Sequence, residues 1–166
     1  MMRPIWTILC AGGLVAGATL AGSAPAARAA DFLATTFAST DACFARRYDA
    51  AHLARNPAQR VASIFLVPTG HSDSNYAAIL HLGFRLKGSP ALYDGFAYCN
   101  SKGAGAECLM EGDAGSLTLS PRQGGLRLTV GDFLVVEGEA GFSPDLAKDG
   151  DDRVFHLSAA PVGACR

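Results

Sequence analysis

The chain has 166 residues, of which 49% are hydrophobic and 17% are charged, and its mean hydropathy is +0.20. Its 14 cationic and 15 acidic residues give a formal net charge of −1 at pH 7. This balance argues against nucleic acid and anionic membranes as partners, because proteins that bind them usually carry an excess of basic residues.

The first 29 residues have the organisation of a secretory signal peptide. One cation, Arg3, precedes an apolar stretch at residues 5–21, and the segment closes on Ala27-Arg28-Ala29. This order predicts export and cleavage after Ala29. A membrane anchor is the competing interpretation, but the stretch is rich in glycine and alanine and barely reaches the roughly 20 strongly apolar residues of a span. We therefore expect a periplasmic or secreted protein with no membrane span after cleavage.

Cleavage leaves a single domain at residues 30–166. Removing 29 of the 166 residues leaves 137, which is the length of one ordinary domain. Two of the 14 cationic residues, Arg3 and Arg28, are removed with the signal, so 12 remain against 15 acidic residues and the formal net charge becomes −3.

Four arginines surround Tyr48 near the start of this domain. Arg46 and Arg47 precede the tyrosine, and Arg55 and Arg60 follow it. Arginine binds carboxylates and phosphates through its planar fork of donors, and arginine and tyrosine are both favoured at interfaces. These five residues are therefore the candidate binding site for an anion or an acidic partner. The structural alternative is that some of these cations cover a junction between a helix and a strand and pair with nearby acids.

One helix is predicted, at residues 49–56. Asp49 can cap its start, and Asn56 ends it because the residue before a proline is pushed away from α geometry. In the rest of the domain, apolar and polar residues alternate with a period of two between glycine-containing turns. We predict eight short strands, at residues 60–67, 76–86, 91–99, 107–113, 116–120, 126–130, 132–137 and 153–159. This pattern predicts an all-β antiparallel fold that is either a sandwich or a small barrel.

The segment GHSDS at residues 70–74 contains the residue types of a serine nucleophile. A nucleophile elbow needs G-x-S-x-G between a strand and a helix, whereas here the fifth residue is a serine and residues 76–86 alternate like a strand. We therefore predict a polar turn between two strands. The alternative is a small secreted serine hydrolase, which requires that Ser72 and His156 lie within hydrogen-bond reach.

The acidic residues have structural interpretations as well. Glu107, Glu111 and Asp113 are spaced as on one face of a strand, and this spacing predicts a solvated outer face instead of a catalytic carboxylate pair. The aspartates of residues 145–152 resemble a calcium loop but lack its closing glutamate, so a mobile acidic loop is the expectation and calcium binding stays open. No histidine lies at a ligand spacing from another, and we predict no metal and no cofactor.

Four cysteines remain in the domain, since Cys10 leaves with the signal. An even number of cysteines in an exported domain predicts two disulfides, for which three connectivities are possible. Cys99 and Cys108 flank a glycine-rich tip, as a bridge across a hairpin does. We therefore predict that they pair with each other and that Cys43 pairs with Cys165.

Residues 43–61, CFARRYDAAHLARNPAQRV, resemble the opening of small exported bacterial proteins that share a cysteine, an Arg-Tyr pair, a His-Leu and a Pro-x-Gln. The closing RVFHL and the terminal cysteine echo the same group. The resemblance covers under a fifth of the chain. It implies export and agrees with a bond between Cys43 and Cys165, but it brings no activity, ligand or catalytic residue.

These observations favour an exported, disulfide-linked β domain that works by binding and not by catalysis. Its partner, a protein or a small-molecule ligand, is unknown. A carrier of a small ligand predicts a wide barrel interior with a large apolar pocket. An enzyme inhibitor predicts a filled core and a projecting loop at residues 68–75 or 139–152, and an accessory role in the cell envelope is the third possibility.

Overall fold

The structure is a computed structural model that describes residues 31–166. The predicted signal peptide at residues 1–29 lies outside the described residues. The helices are α1 Phe32–Thr36 and α2 Ala50–Arg55, and 3₁₀ turns lie at Glu111–Asp113 and Val162–Ala164. The strands are β1 Phe44–Arg47, β2 Val61–Pro68, β3 Ala78–Leu86, β4 Leu92–Lys102, β5 Gly105–Met110, β6 Gly115–Arg122, β7 Gly125–Leu134, β8 Glu137–Gly138, β9 Gly141–Phe142 and β10 Val154–Ala159.

Eight of these strands close into an antiparallel barrel. Strands β1 to β7 pair in chain order, and β10 completes the circle by pairing with both β7 and β1. The short strands β8 and β9 form a hairpin attached to β4. The all-β antiparallel prediction is confirmed, and closure of the sheet selects the barrel over the sandwich.

The set of barrel strands differs from the predicted set at one position. We predicted separate strands at residues 126–130 and 132–137, but β7 runs without interruption from Gly125 to Leu134. The eighth barrel strand is instead β1, where the sequence FARR contains too few apolar residues to show alternation. Helix α1 was also missed, whereas α2 confirms the predicted helix, and the side chain of Asp49 accepts a hydrogen bond from the His52 N–H at 2.6 Å.

The barrel interior is filled by side chains. In β3, Leu80, Leu82 and Phe84 are buried as the alternation predicted, and they belong to one cluster that extends through all the long strands. A barrel of eight strands is just wide enough for its side chains to fill it. Leu33 of α1 and Leu146, from the segment between β9 and β10, join the same cluster.

These two leucines close opposite ends of the barrel. Helix α1 lies beside the tip of the β4–β5 hairpin, where the Ser101 hydroxyl donates to the Asp31 carboxylate at 2.6 Å. Leu146 lies beside the end of β7, where its N–H donates to the Leu134 carbonyl at 3.0 Å. We call residues 139–152 the cover segment, because its buried Leu146 covers this barrel end, whereas its Phe142 is exposed.

Both predicted disulfides are confirmed. Cys99 and Cys108 are direct partners in the register of β4 and β5, with a sequence separation of 9. Cys43 immediately precedes β1 and is bonded to Cys165, with a sequence separation of 122. The second bond therefore fixes the C-terminal segment to the start of the barrel.

Replacement of Gly125 with alanine is expected to destabilise the protein by about 2 kcal/mol, because overfilling a tightly packed position strains the backbone. A Cβ atom at this position would collide with the carbonyl oxygen of Leu157 on β10. Urea unfolding measures the effect. Gly163→Ala is the matched control, since nothing lies within 4 Å of its Cβ position and a change within about 0.5 kcal/mol is expected. Equal stability of the two variants would contradict the close approach of β7 to β10.

Candidate functional site

The barrel wall opens between β1 and β10. These strands pair over two positions only, Phe44 with Ala159 and Ala45 with Ser158. Beyond them, β1 continues to pair with β2 as far as Arg47, and β10 continues to pair with β7. The two strands therefore diverge, and a cleft of about 320 Å³ lies beside them. We call this the cationic cleft; it is lined chiefly by Arg46, Tyr48, His52, Gln59, Arg122 and His156.

Strand register brings basic residues together on the outer face beside this cleft. Arg127 of β7 lies directly opposite His156 of β10. Their outward direction follows from the adjacent row, where Leu128 and Phe155 are paired and buried in the core. Arg122, near the end of β6, reaches the same cleft.

The pKa of His156 reports the electrostatics of the site. Partial loss of solvation lowers the pKa of this exposed ring below the usual 6.5, and repulsion from the guanidinium groups of Arg122, Arg127 and Arg46 lowers it further. Within residues 31–166, none of these three arginines forms an ion pair with a carboxylate. Asp151 is the one carboxylate among the described residues that line the cleft. Arg46 and Arg122 therefore line the cleft together with His156, whose pKa is lowered, and Arg127 lies beside it across the β7–β10 ladder.

One wall of the cleft is held by stacked rings. The guanidinium carbon of Arg46 lies 5.0 Å from the centre of the Tyr48 ring, and the His52 ring stacks on Tyr48 at 4.6 Å. His52 Nε2 is 2.9 Å from Gln59 Oε1, and the amide of the buried Gln59 donates to the Val61 carbonyl at 2.9 Å. Burial raises the pKa of Tyr48, so its hydroxyl stays neutral. These contacts order Tyr48 and His52, while Arg46 itself stays exposed beside the Tyr48 ring.

The five residues of the predicted binding site divide into two groups. Arg46 and Tyr48 line the cationic cleft, together with the His156 of the hydrolase alternative. Arg47 follows Arg46 on β1 and lines two other surface clefts, one of which Arg46 also lines. Arg55, the last residue of α2, is exposed and lines none of these clefts.

Arg60 has a structural role. Its backbone N–H and its Nε–H both donate to the carboxylate of Asp152, at 3.0 and 2.9 Å, and Asp152 is completely buried. Its Nη2 donates to the carbonyls of Asp145 and Lys148 at 2.8 and 2.7 Å. The guanidinium group is therefore occupied in fixing the cover segment to the start of β2.

The acidic residues of the cover segment are also engaged in structure. Asp145 loses some solvation by burial, but hydrogen bonds from the N–H groups of Leu134 and Ala147, with help from Lys148, hold its pKa below the ordinary value. Among residues 31–166, no group of three or more histidine, cysteine or acidic side chains is arranged to hold a metal ion.

Ser72 and His156 are not brought together. Ser72 lies in the connection between β2 and β3, whereas His156 lies on β10 and lines the cationic cleft. No hydrogen bond joins the two side chains in the described part of the chain. The predicted polar turn is present around Ser72, where the Asp73 side chain accepts from the Asn75 N–H at 2.7 Å.

A second cleft, of about 470 Å³, is acidic and is lined by Asp94, Glu111, Asp113 and Glu137. Two of its carboxylates have internal partners: Asp94 pairs with His81 at 2.7 Å, and Glu111 accepts from the Phe96 N–H at 3.1 Å. The prediction that residues 107–113 form one strand is wrong at its end, because β5 stops at Met110 and Glu111–Asp113 is a 3₁₀ turn.

Comparisons of the chain with protein-family models, with curated proteins and with solved structures find no match. None of the helices in residues 31–166 is long and apolar enough to cross a membrane. What the structure defines is a closed, filled eight-stranded barrel that carries a cationic cleft on its outer surface.

The basic residues that the sequence did not indicate as site residues are Arg122 and Arg127. Both stand on strands that alternate, and their outward position was readable from that alternation. Their proximity to Arg46 could not be predicted from alternation, because it depends on the position of β10 between β7 and β1 in the sheet.

Proposed function

We propose that this protein is an exported, non-catalytic binding domain that holds an anionic group of its ligand or partner in the cationic cleft. The observation that carries the proposal is that Arg46 and Arg122 line one cleft with His156, which lies opposite Arg127 in the β7–β10 ladder. Within residues 31–166, none of these arginines has a carboxylate partner. Like charges that face one another repel, and an anion between them removes that repulsion.

The chemistry of the lining favours an oxyanion. Guanidinium groups donate two parallel hydrogen bonds to carboxylate, phosphate or sulfate oxygens, and such charge-assisted bonds are stronger than those between neutral groups. The guanidinium group of Arg46 packs against the Tyr48 ring, on which the His52 ring is stacked.

The filled interior supports binding at the surface over carriage of a ligand within the barrel. A carrier needs a cavity of several hundred Å³ among its inward-facing side chains. Here these positions are occupied by a contiguous apolar cluster, and Leu33 and Leu146 cover the two ends. The two disulfides support export, since such bonds persist in oxidising compartments.

Isothermal titration calorimetry at low ionic strength tests this function. Inorganic sulfate and succinate are the probes, because together they separate a tetrahedral oxyanion from a carboxylate. We expect saturable binding of at least one of them, weakened by added salt. Arg46→Ala should weaken it about tenfold, the value of one charge-assisted hydrogen bond.

Arg47→Ala is the matched control for this experiment. It removes the same charge from the next residue of β1, which does not line the cationic cleft. We expect its affinity to stay within about twofold of the parent protein, since exposed charges that make no contact contribute little. Equal losses in the two variants would show a diffuse charge effect, and the absence of saturable binding by either probe would contradict the proposal.

A further inference from the structure

We propose that the cationic cleft takes up a proton on the ring of His156 together with its anion, so that the anion binds more tightly in acid. This inference rests on the proposed function and adds that pH regulates the binding of the anion. If a bound anion raises the affinity of His156 for a proton, then protonation of His156 must raise the affinity of the cleft for the anion by the same factor.

The geometry around His156 singles out this ring. It stands directly across the β7–β10 ladder from Arg127, and Arg122 and Arg46 approach it from other strands. The ring forms no hydrogen bond with any residue in the described part of the chain. Among residues 31–166, no acceptor is hydrogen-bonded to the imidazolium form, so an anion seated beside the arginines could accept its hydrogen bond.

The groups that face the ring come from every element around the cleft. Arg46 and Tyr48 belong to β1 and its end, His52 to α2, Arg122 to β6 and Arg127 to β7, while Asp151 precedes β10. Histidine is the side chain whose charge ordinarily changes between about pH 5 and pH 8. Two histidine rings, His156 and His52, line the cleft, and their contacts distinguish them.

His52 differs from His156 because it already has partners. Its Nε2 is hydrogen-bonded to Gln59, and its ring is stacked on Tyr48. His156 has instead the three arginines, whose repulsion a bound anion would offset. The anion would thus raise the pKa of His156 from its lowered position. Affinity then increases as the pH falls through the bound-state pKa, and it levels off below the free-state pKa.

Sulfate affinity measured by calorimetry at about pH 7.5 and at about pH 5 tests this coupling. Sulfate is the suitable probe because it remains a dianion throughout this range, so that the probe itself does not titrate. We expect binding about fivefold tighter at the lower pH at constant ionic strength, the lower end of ordinary coupling between sites. His156→Gln should abolish this difference. His71→Gln should retain it, since His71 is exposed in the connection between β2 and β3 and does not line the cationic cleft.

An NMR titration of the His156 ring gives a second readout that does not depend on a variant. Saturating sulfate should raise its pKa by about 0.7 units, which is the same fivefold coupling expressed on the pH scale. Sulfate binding of equal strength at both pH values, or an undiminished pH dependence in His156→Gln, would overturn the coupling and leave the proposed function standing. No binding at either pH would overturn both.

Discussion

Replacing Asp152 with alanine is expected to destabilise the protein by about 3–5 kcal/mol, the cost of removing one partner of a buried ion pair. The carboxylate is completely buried and accepts hydrogen bonds from the Arg60 N–H, the Arg60 Nε–H and the Val61 N–H. Its loss would leave these donors without their acceptor at the point where the cover segment meets β2. Urea unfolding followed by far-UV circular dichroism measures the change.

Asp151→Ala is the matched control for this variant. Asp151 is the adjacent residue and is exposed, and its backbone N–H donates to the Ala58 carbonyl, which a substitution of the side chain preserves. We expect a change within about 0.5 kcal/mol. If the two variants lose the same stability, Asp152 does not have the structural role that its contacts indicate.

Removal of the disulfide between Cys43 and Cys165 should have an effect of similar size. On the chain-entropy model, a bond that closes a ring of this length contributes about 5 kcal/mol, and the shorter ring closed by Cys99 and Cys108 contributes about 3 kcal/mol. Both bonds are buried, so the loss of packing is comparable in the two cases. The double variant Cys43→Ala/Cys165→Ala is therefore expected to unfold at a lower denaturant concentration than a variant that lacks the bond between Cys99 and Cys108.

The control is the double variant Cys99→Ala/Cys108→Ala, in which residues 43 and 165 remain bonded. Its strands also stay paired, because the β4–β5 ladder continues on both sides of the bridge. A larger loss of stability in this variant than in Cys43→Ala/Cys165→Ala would contradict the ordering by ring length.

Much of the barrel was predictable because its strands obey local rules. The alternation in β3 indicated which side faces the core, and the glycine-rich tip between Cys99 and Cys108 indicated a hairpin. Strand β1 was missed because its two arginines replace the expected apolar residues. The choice between barrel and sandwich depends on whether β3 pairs with β4 and β10 with β1, and the alternation within a strand does not specify this.

The candidate site was predictable only in part. Arg46 and Tyr48 were indicated by residue type alone, and they line the cationic cleft. Arg60 belongs to the same cluster in sequence, but its partner Asp152 lies 92 residues away, so its structural role was not readable locally. Arg122 lies at the local β6–β7 hairpin, but the position of Arg127 opposite His156 depends on the pairing of β7 with β10, which are distant in sequence.

An NMR titration of the isotope-labelled protein with sulfate tests most directly whether this barrel binds anions from its outer surface. We expect saturable shift changes that centre on Arg46, Arg122, Arg127 and His156, with the resonances of the inward-facing leucines unmoved. Saturable changes that centre on the barrel interior, or changes at Arg47 and Arg55 as large as those in the cationic cleft, would contradict anion binding at this cleft.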